Sequence, residues 1–222
     1  EMILKTLGAD AEGPPGTAAK GLKVAAESIE AMGIPRDGCS LYDGSGLSKD
    51  NLVSATQLVK LLRAMARDFA VAPELVASLK VAGAEGQAAR FRDVLCQRNL
   101  RVKTGHLDGV DTLAGYALDK NGRELVFAVL VNDLRHSRVA SDRAIERIPH
   151  PLLRGNHNHE QIRARAKVIR FTADDQAIEI VFESIQRFGS NRKDILIKRI
   201  HLGMEFNQRH AIANIIKRRA RI

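Results

Sequence analysis

The feature that most restricts the fold is an Asn-Gly pair, Asn121-Gly122, between two apolar segments. Asn-Gly is the strongest short signal for a β-hairpin, because both central residues of a type I′ turn take positive φ. The flanking segments, Val110 to Leu118 and Glu124 to Val131, have the residue pattern of strands. Leu125 to Val131 is nearly all apolar, which predicts a central strand covered on both faces.

Helical patterns surround this hairpin. Thr17 is predicted to cap a helix that ends at Gly33, and Ser54 is predicted to cap a second one. Pro73 opens a short helical turn. The apolar faces are expected at Leu22, Ala25, Ala26, Ile29 and Met32 in the first helix, and at Leu58, Leu61, Leu62, Met65 and Phe69 in the second. Two further helices are predicted, over Gln87 to Gln97 and Ser137 to Ile148.

Helices followed by an antiparallel meander and a closing helix predict a mixed α/β (α+β) fold, an antiparallel sheet flanked by helices. The sequence changes in character after Ile148. Residues 1–150 hold 20 Lys/Arg and 19 Asp/Glu, whereas residues 151–222 hold 15 and 7, so the net charge of +9 comes mainly from the last third. We therefore predict a folded region over 1–148 and a basic tail of unknown origin over 149–222. Helical or mixed segments are expected in this tail.

Other chain-wide signals are few. No apolar run approaches the ~20 residues that span a membrane. No basic segment followed by an apolar one marks a signal peptide, and the chain begins at Glu1, so we expect it to be a truncated piece of a longer protein. No Cys/His spacing suggests a zinc site, and we expect no metal or cofactor.

Lys103-Thr104-Gly105 lies at the end of an apolar strand just before the hairpin. In serine acyl-transfer enzymes with a Ser-x-x-Lys nucleophile, a Lys-Thr-Gly strand grips the substrate carboxylate. Three common residues are weak evidence alone. That motif set also contains Ser-x-x-Lys and Ser-x-Asn. We expect the chain to contain neither motif.

Three segments carry a family resemblance: Asp43 to Val53, which begins Asp-Gly-Ser-Gly-Leu-Ser, Ala82 to Arg90, and Val102 to Tyr116. In this order and spacing the chain resembles the C-terminal portion of class C D-alanyl-D-alanine carboxypeptidase/endopeptidases, penicillin-binding proteins of peptidase family S13. The resemblance covers residues 1–148. It implies a β-lactamase/transpeptidase-like fold, incomplete at the N-terminus. It also implies a periplasmic or cell-wall serine hydrolase that acts on peptidoglycan stem peptides and is acylated by β-lactams.

The resemblance also implies roles for four residues. Lys103 would supply positive charge, and Thr104 would offer its hydroxyl to the terminal carboxylate of the substrate. Gly105 would let the substrate backbone approach, and the backbone N–H of His106 would be an oxyanion-hole donor. His106 stands where we expect Ser or Thr, so any hydroxyl contact there is lost. Because the catalytic serine belongs to a motif upstream, we expect the chain alone to be inactive.

Several residues have simpler interpretations. Ser45 and Ser48 lack a Lys three residues on and are expected to shape a turn in which Asp43 accepts backbone amides. Asp108 and Asp111 are expected to be loop and strand-edge residues, and Tyr116 to pack on the sheet.

The basic tail leaves another hypothesis open. Its positive charge is suited to nucleic acid or an anionic cell-wall polymer, although it carries no recognisable nucleic-acid-binding motif. A nucleic-acid-binding or otherwise non-catalytic protein therefore remains the alternative, as does a domain that only binds peptidoglycan termini through Lys103 and Thr104.

Overall fold

The computed structural model describes residues 1–84, 91, 94 and 96–132, and the backbone of strands at 167–173 and 176–184. The helices are α1 (Met2–Glu12), α2 (Ala18–Ala31), α3 (Ala55–Arg67) and α4 (Ala72–Ser78). The strands are β1 (Lys80–Val81), β2 (Leu100–Leu107), β3 (Val110–Leu118), β4 (Glu124–Asn132), β5 (Lys167–Ala173) and β6 (Gln176–Ser184). Within these ranges, no helix has both the length and the apolar character needed to cross a membrane.

The strands form one antiparallel sheet in the order β1-β2-β3-β4-β6-β5. Strand β4 lies inside it, and every residue from Leu125 to Val131 is buried, as the apolar run predicted. Its side chains alternate between two cores, because successive side chains in a strand face opposite ways. Phe127 belongs to the core that contains Leu100, Val102 and Leu113, and Val126 to the core beneath α3 and α4.

Helix α3 begins as the sequence predicts. The Ser54 hydroxyl accepts a hydrogen bond from the backbone N–H of Gln57 at 3.2 Å. The Gln57 side-chain oxygen accepts one from the backbone N–H of Ser54 at 2.8 Å, which completes a capping box. Leu58, Leu62 and Met65 pack against the core beneath the helix. The prediction for Phe69 is wrong: it lies beyond the helix end and is 93% exposed.

Helix α2 is capped by Thr17 as predicted, but its expected buried face is wrong. The buried residues are Gly21 and Val24, whereas the larger apolar positions are only partly covered. Gly21 lies directly against α1: a Cβ atom on it would be 2.0 Å from the carbonyl oxygen of Leu4. Backbone contact between two helices depends on the absence of a side chain, so a search for large apolar residues misses it.

The predicted hairpin is present between β3 and β4, but its turn geometry differs from type I′. Gly122 has φ +71°, whereas Asn121 is not among the residues with positive φ. The reason lies two residues before Asn121. The carboxylate of Asp119 accepts hydrogen bonds from the backbone N–H groups of Asn121 at 2.8 Å and Arg123 at 2.9 Å. Asp119 is buried, so these bonds favour a turn in which glycine alone takes the left-handed conformation.

Strands β5 and β6 occupy a part of the tail for which helical or mixed segments were predicted. β6 pairs with β4 in antiparallel register, with Ala128 opposite Val181. The pattern of apolar and charged residues in this short segment does not by itself separate strand from helix. The predicted helix at Ser137–Ile148 lies outside the described residues, as does most of that at Gln87–Gln97. The prediction at Gln87–Gln97 is wrong for the residues that are described there, because Phe91, Val94, Cys96 and Gln97 are not helical. The boundary at residue 148 stays a prediction.

Candidate active site

Strand β2 carries all four predicted site residues. Thr104 lies opposite Leu113 of β3, and His106 lies opposite Asp111. Because directly opposed residues in an antiparallel pair share a face, Thr104 and His106 project to the same side of the sheet as Leu113. The side chain of Lys103 leaves the backbone on the opposite face of the sheet. The predicted residues therefore lie on one strand but divide between its two faces.

The edge of β2 that faces away from β3 is only partly covered. Strand β1 pairs with it as far as Val102. The amide of Ala82 donates to the carbonyl oxygen of Leu100 at 3.2 Å, so the polar backbone groups of Leu100 point to this edge. Alternation along the strand directs the N–H groups of Thr104 and His106 the same way. Within the described ranges, no strand pairs with these two residues on that side.

Lys103 curls back over the strand. Although much of the residue is exposed, its ammonium group is half-buried and donates to the carbonyl oxygen of Thr104 at 2.6 Å. Burial lowers the pKa of Lys103 from its ordinary value, and the positive charge of Lys80 lowers it further. The ammonium thus lies at the uncovered edge with less solvation than a surface lysine.

Thr104 and Gly105 are constrained by β3. Thr104 is buried and faces the core that contains Leu113. Gly105 lies opposite Thr112, and a Cβ atom on Gly105 would come within 2.4 Å of the Thr112 hydroxyl oxygen. A side chain at position 105 would therefore displace a neighbour within the sheet, in addition to any effect on an approaching ligand.

His106 has a close partner that sequence reasoning missed. Its Nδ1 atom lies 2.5 Å from Oδ1 of Asp111, and the His106 side chain is 37% exposed whereas that of Asp111 is 5% exposed. The sequence predicted only a strand-edge residue at position 111. The available signal was spacing, because a two-residue turn at Asp108-Gly109 brings these positions opposite each other.

The segment from Asp43 to Asn51 forms the turn that the sequence predicts. The Asp43 carboxylate accepts the amides of Gly46 and Ser48, both at 2.8 Å, and the side-chain amide of Asn51 at 2.9 Å. The hydrogen bond from Asn51 and those from the two backbone amides hold the pKa of Asp43 well below its usual range. Asp43 thus stabilises the turn as an ionised carboxylate.

This turn connects the beginning of the chain to the β2–β3 hairpin. The amide of Gly44 donates to Oε1 of Glu1 at 2.8 Å. On its other side, Lys49 forms an ion pair with Asp108 at 3.6 Å. Both partners of that pair are exposed, so its contribution to stability is small. The structure therefore brings the first and third segments of the family resemblance next to each other.

The expectation that the chain lacks Ser-x-x-Lys is wrong as a statement about the whole sequence. Ser190-Asn-Arg-Lys193 matches the pattern. It follows the Lys-Thr-Gly strand, whereas the resemblance expects the nucleophile far upstream, and it lies outside the described residues. No Ser-x-Asn occurs in the sequence.

Known proteins resemble this chain at both sequence and structure level. Its sequence is 36% identical over 138 residues to the D-alanyl-D-alanine carboxypeptidase of Actinomadura sp. (strain R39), covering 60% of this chain and 25% of that protein. It is 38% identical over 112 residues to carboxypeptidase DacB of Mycolicibacterium smegmatis, covering 47% and 24%. The chain thus spans about a quarter of the length of these relatives.

Solved structures confirm the fold class. Penicillin-binding protein 4 (dacB) of Haemophilus influenzae, complexed with a β-lactam, matches with a TM-score of 0.61 and 23% identity, over 68% of this chain and 37% of that one. A predatory endopeptidase of Bdellovibrio bacteriovorus, acylated by penicillin G, matches with a TM-score of 0.50 and 20% identity, over 69% and 46%. The α+β fold is therefore transpeptidase-like.

The family model "D-Ala-D-Ala carboxypeptidase 3 (S13) family" matches residues 1–148, which is the whole extent of the predicted resemblance. The chain therefore belongs to the D-Ala-D-Ala carboxypeptidase 3 (S13) family.

Proposed function

We propose that this chain forms the substrate-holding wall of a serine-type D-Ala-D-Ala carboxypeptidase/endopeptidase that acts on peptidoglycan stem peptides. The observation that carries this proposal is the edge of β2 at which no described strand pairs beyond Val102, where Lys103, Thr104, Gly105 and His106 follow one another. Family membership supports the chemistry, and the relatives named as D-Ala-D-Ala carboxypeptidases support the substrate class. The proposal extends to a periplasmic or cell-wall location and to acylation of the intact enzyme by β-lactams.

The uncovered edge suits an extended peptide. A substrate backbone can pair with a strand edge through main-chain hydrogen bonds, and the N–H group of His106 is directed toward the edge of β2 that no described strand covers. The amide of His106 then becomes the oxyanion-hole donor. One such donor is typically worth about 10²–10³ in rate. By resemblance, the other donor and the attacking serine both belong to the Ser-x-x-Lys motif.

Lys103 supports recognition of an anionic group. Its half-buried ammonium is bonded to the strand through the Thr104 carbonyl oxygen, so its charge is held near the edge. A carboxylate that reaches this edge meets a positive field, and charge-assisted hydrogen bonds are stronger than neutral ones. Thr104 would contribute its hydroxyl, which requires access past the side chains that now bury it.

Chemistry at the carbonyl needs a serine with a paired lysine as base. By resemblance, that pair precedes Lys103 in the intact enzyme. Binding by the present 222 residues is therefore expected without turnover. The nucleic-acid hypothesis has no support from the described residues, because most of the basic tail lies outside them.

The test is a nuclear magnetic resonance titration of the ¹⁵N-labelled 222-residue chain with an acyl-D-Ala-D-Ala peptide. An acyl-L-Ala-L-Ala peptide is the matched control. We expect the D,D peptide to shift the amide signals of Thr104 and His106 selectively, with a dissociation constant on the order of 1 mM or weaker, because no Ser-x-x-Lys precedes Lys103 in these residues to complete the site. Lys103→Met should weaken the response.

Equal responses to the two peptides, or shifts confined to signals away from β2, would contradict the proposed function. A salt titration with labelled DNA separates the alternative hypothesis, because binding by a basic tail weakens steeply as salt is raised.

A further inference from the structure

The hairpin formed by β5 and β6 is a feature of the basic tail that the proposed function does not use. The family match ends at residue 148, yet β6 pairs with β4 along the whole length from Leu125 to Asn132. The strand that covers this side of β4 therefore comes from residues outside the family match.

Strand β4 requires a partner on each of its edges. Every residue from Leu125 to Val131 is buried, so both faces of the strand are covered, as is typical of an interior strand. Buried backbone N–H and C=O groups need hydrogen-bond partners, and an open edge on β4 would leave alternate groups without them. Strand β3 supplies the partners on one edge, so the other edge needs a second strand.

The register shows which backbone groups of β4 point to which neighbour. The amide of Asp119 donates to the carbonyl oxygen of Arg123 at 2.9 Å, so the polar groups at these opposed positions point to each other. Alternation along the antiparallel pair then directs the N–H group of Val129 toward β3. The N–H group of Ala128, one residue earlier, points toward β6, where Val181 lies opposite it. By the same alternation, the N–H group of Val181 points to β4.

Strand β6 continues the sheet beneath the same helix. It lies between β4 and β5 in the strand order, and α3 contacts it as well as β4. Strand β5 pairs with its other edge, with Val168 opposite Val181. Because the N–H group of Val181 points to β4, that of Val168 points away from β6. Among the described strands, β5 rather than β4 forms this edge of the sheet.

We propose that the β5–β6 hairpin is the structural partner of β4, and that it makes residues 167–184 part of the same folded unit as the family-matched region. The second edge of β4 is then a surface that fits one kind of partner, an antiparallel strand, which this chain supplies from its own tail. This part of the tail acts through backbone pairing and not as a free cationic arm. The inference does not rest on the proposed function, because it concerns the side of β4 that faces away from β2.

Amide hydrogen exchange of the ¹⁵N-labelled 222-residue chain, followed by nuclear magnetic resonance, tests this without any substitution. The N–H group of Ala128 should exchange as slowly as that of Val129, because one is bonded to β6 and the other to β3. If the tail is a free arm, the amide of Ala128 will exchange at least about tenfold faster than that of Val129, which would overturn the inference.

A second measurement on the same sample identifies the covering strand. Phe127 lies opposite Phe182 at a position where the backbone groups of both residues point away from each other. The α-hydrogens of such a pair lie close together, so a strong nuclear Overhauser effect between them is expected. Slow exchange of Ala128 without this effect would mean that another strand covers β4, and the inference would fail.

Two valine variants form a matched pair, because Val181 and Val168 lie opposite each other. Val181→Pro removes an N–H group that points to β4, and should speed the exchange of the Ala128 amide at least about tenfold. Val168→Pro removes one that points away from β6 on an edge strand, where proline is tolerated, and should leave that exchange unchanged. Unfolding of the whole chain in Val181→Pro alone, seen by circular dichroism, would also support the inference, because loss of a free arm leaves the rest folded. Equal behaviour of the two variants would contradict it.

Discussion

The hydroxyl of Tyr116 donates to the carbonyl oxygen of Leu62 at 2.7 Å and so joins β3 to α3. Tyr116 is buried, and its ring belongs to the core between the sheet and that helix. Tyr116→Phe keeps the ring and removes this hydrogen bond. We expect the free energy of unfolding to fall by about 1 kcal/mol, the usual net value of such a bond, measured by urea denaturation.

The other tyrosine of the chain provides the control. Tyr42 is 59% exposed, so Tyr42→Phe should leave the urea midpoint unchanged. If the two substitutions changed the midpoint equally, the bond from Tyr116 to Leu62 would contribute nothing to stability.

Gly21→Ala should destabilise the chain although alanine favours helices. The new Cβ would lie 2.0 Å from the carbonyl oxygen of Leu4, a backbone atom that cannot move unless α1 shifts. Overpacking of this kind costs about 1–3 kcal/mol, which is expected to exceed the helix-propensity gain of about 1 kcal/mol. Thermal denaturation should show a lower midpoint. Glu27→Ala, at an exposed position of the same helix, should not lower the thermal midpoint. An unchanged midpoint for Gly21→Ala would contradict the close contact of α1 and α2.

These helices show what local sequence signals predict and what they miss. The N-caps at Thr17 and Ser54 are local hydrogen bonds between residues three apart, and they were predicted correctly. The contact at Gly21 depends on where another helix lies, which no periodicity within α2 contains. Phe69 has helical spacing, but α3 ends before it, and the structure leaves it exposed.

The sheet likewise has features that the sequence predicts and features that it misses. The bounds of β3, Val110–Leu118, agree with prediction because two turns with glycine delimit the strand. The type of the second turn could not be predicted from Asn-Gly alone, since the buried Asp119 determines it. At the site, the sequence predicted the order of Lys103 to His106 through the resemblance. The pairing of His106 with Asp111 depends on the register of β2 against β3, which the resemblance does not supply.

Asp43→Asn should change how stability depends on acid. Hydrogen bonds from Asn51 and from the Ser48 and Gly46 amides hold the pKa of Asp43 well below its usual range in the folded state. The folded state therefore resists protonation of Asp43. The stability that these hydrogen bonds contribute is fully present above the ordinary carboxyl range and is lost as the pH falls through the pKa of Asp43 in the folded state. The variant should be less stable at neutral pH and lose less stability toward acid.

The measurement for Asp43 is a series of urea titrations from neutral to acidic pH. Asp50, which is exposed in the same turn, supplies the control through Asp50→Asn. A wild-type slope retained in Asp43→Asn would show that another carboxylate is responsible for it.

Lys80→Met should raise the pKa of Lys103. Burial is the larger cause of the lowered value and remains in the variant, so the pKa should move only part of the way to its ordinary value. A pH titration of the Lys103 side-chain carbon signals by nuclear magnetic resonance would measure this. Lys49→Met removes a lysine that is instead paired with Asp108, and should have no comparable effect. Equal shifts in both variants would argue against a direct interaction between Lys80 and Lys103.

Incubation of the 222-residue chain with a labelled penicillin should give no covalent adduct. Acylation needs a serine with its paired lysine at the site, and no Ser-x-x-Lys precedes Lys103 in this sequence. Intact-mass spectrometry checks this, with a full-length family carboxypeptidase as the positive control. The remaining match, Ser190 to Lys193, makes the outcome decisive in either direction. An adduct that disappears in Ser190→Ala would identify a nucleophile downstream of the Lys-Thr-Gly strand, whereas an adduct that persists in that variant would mean that another residue of the chain is acylated.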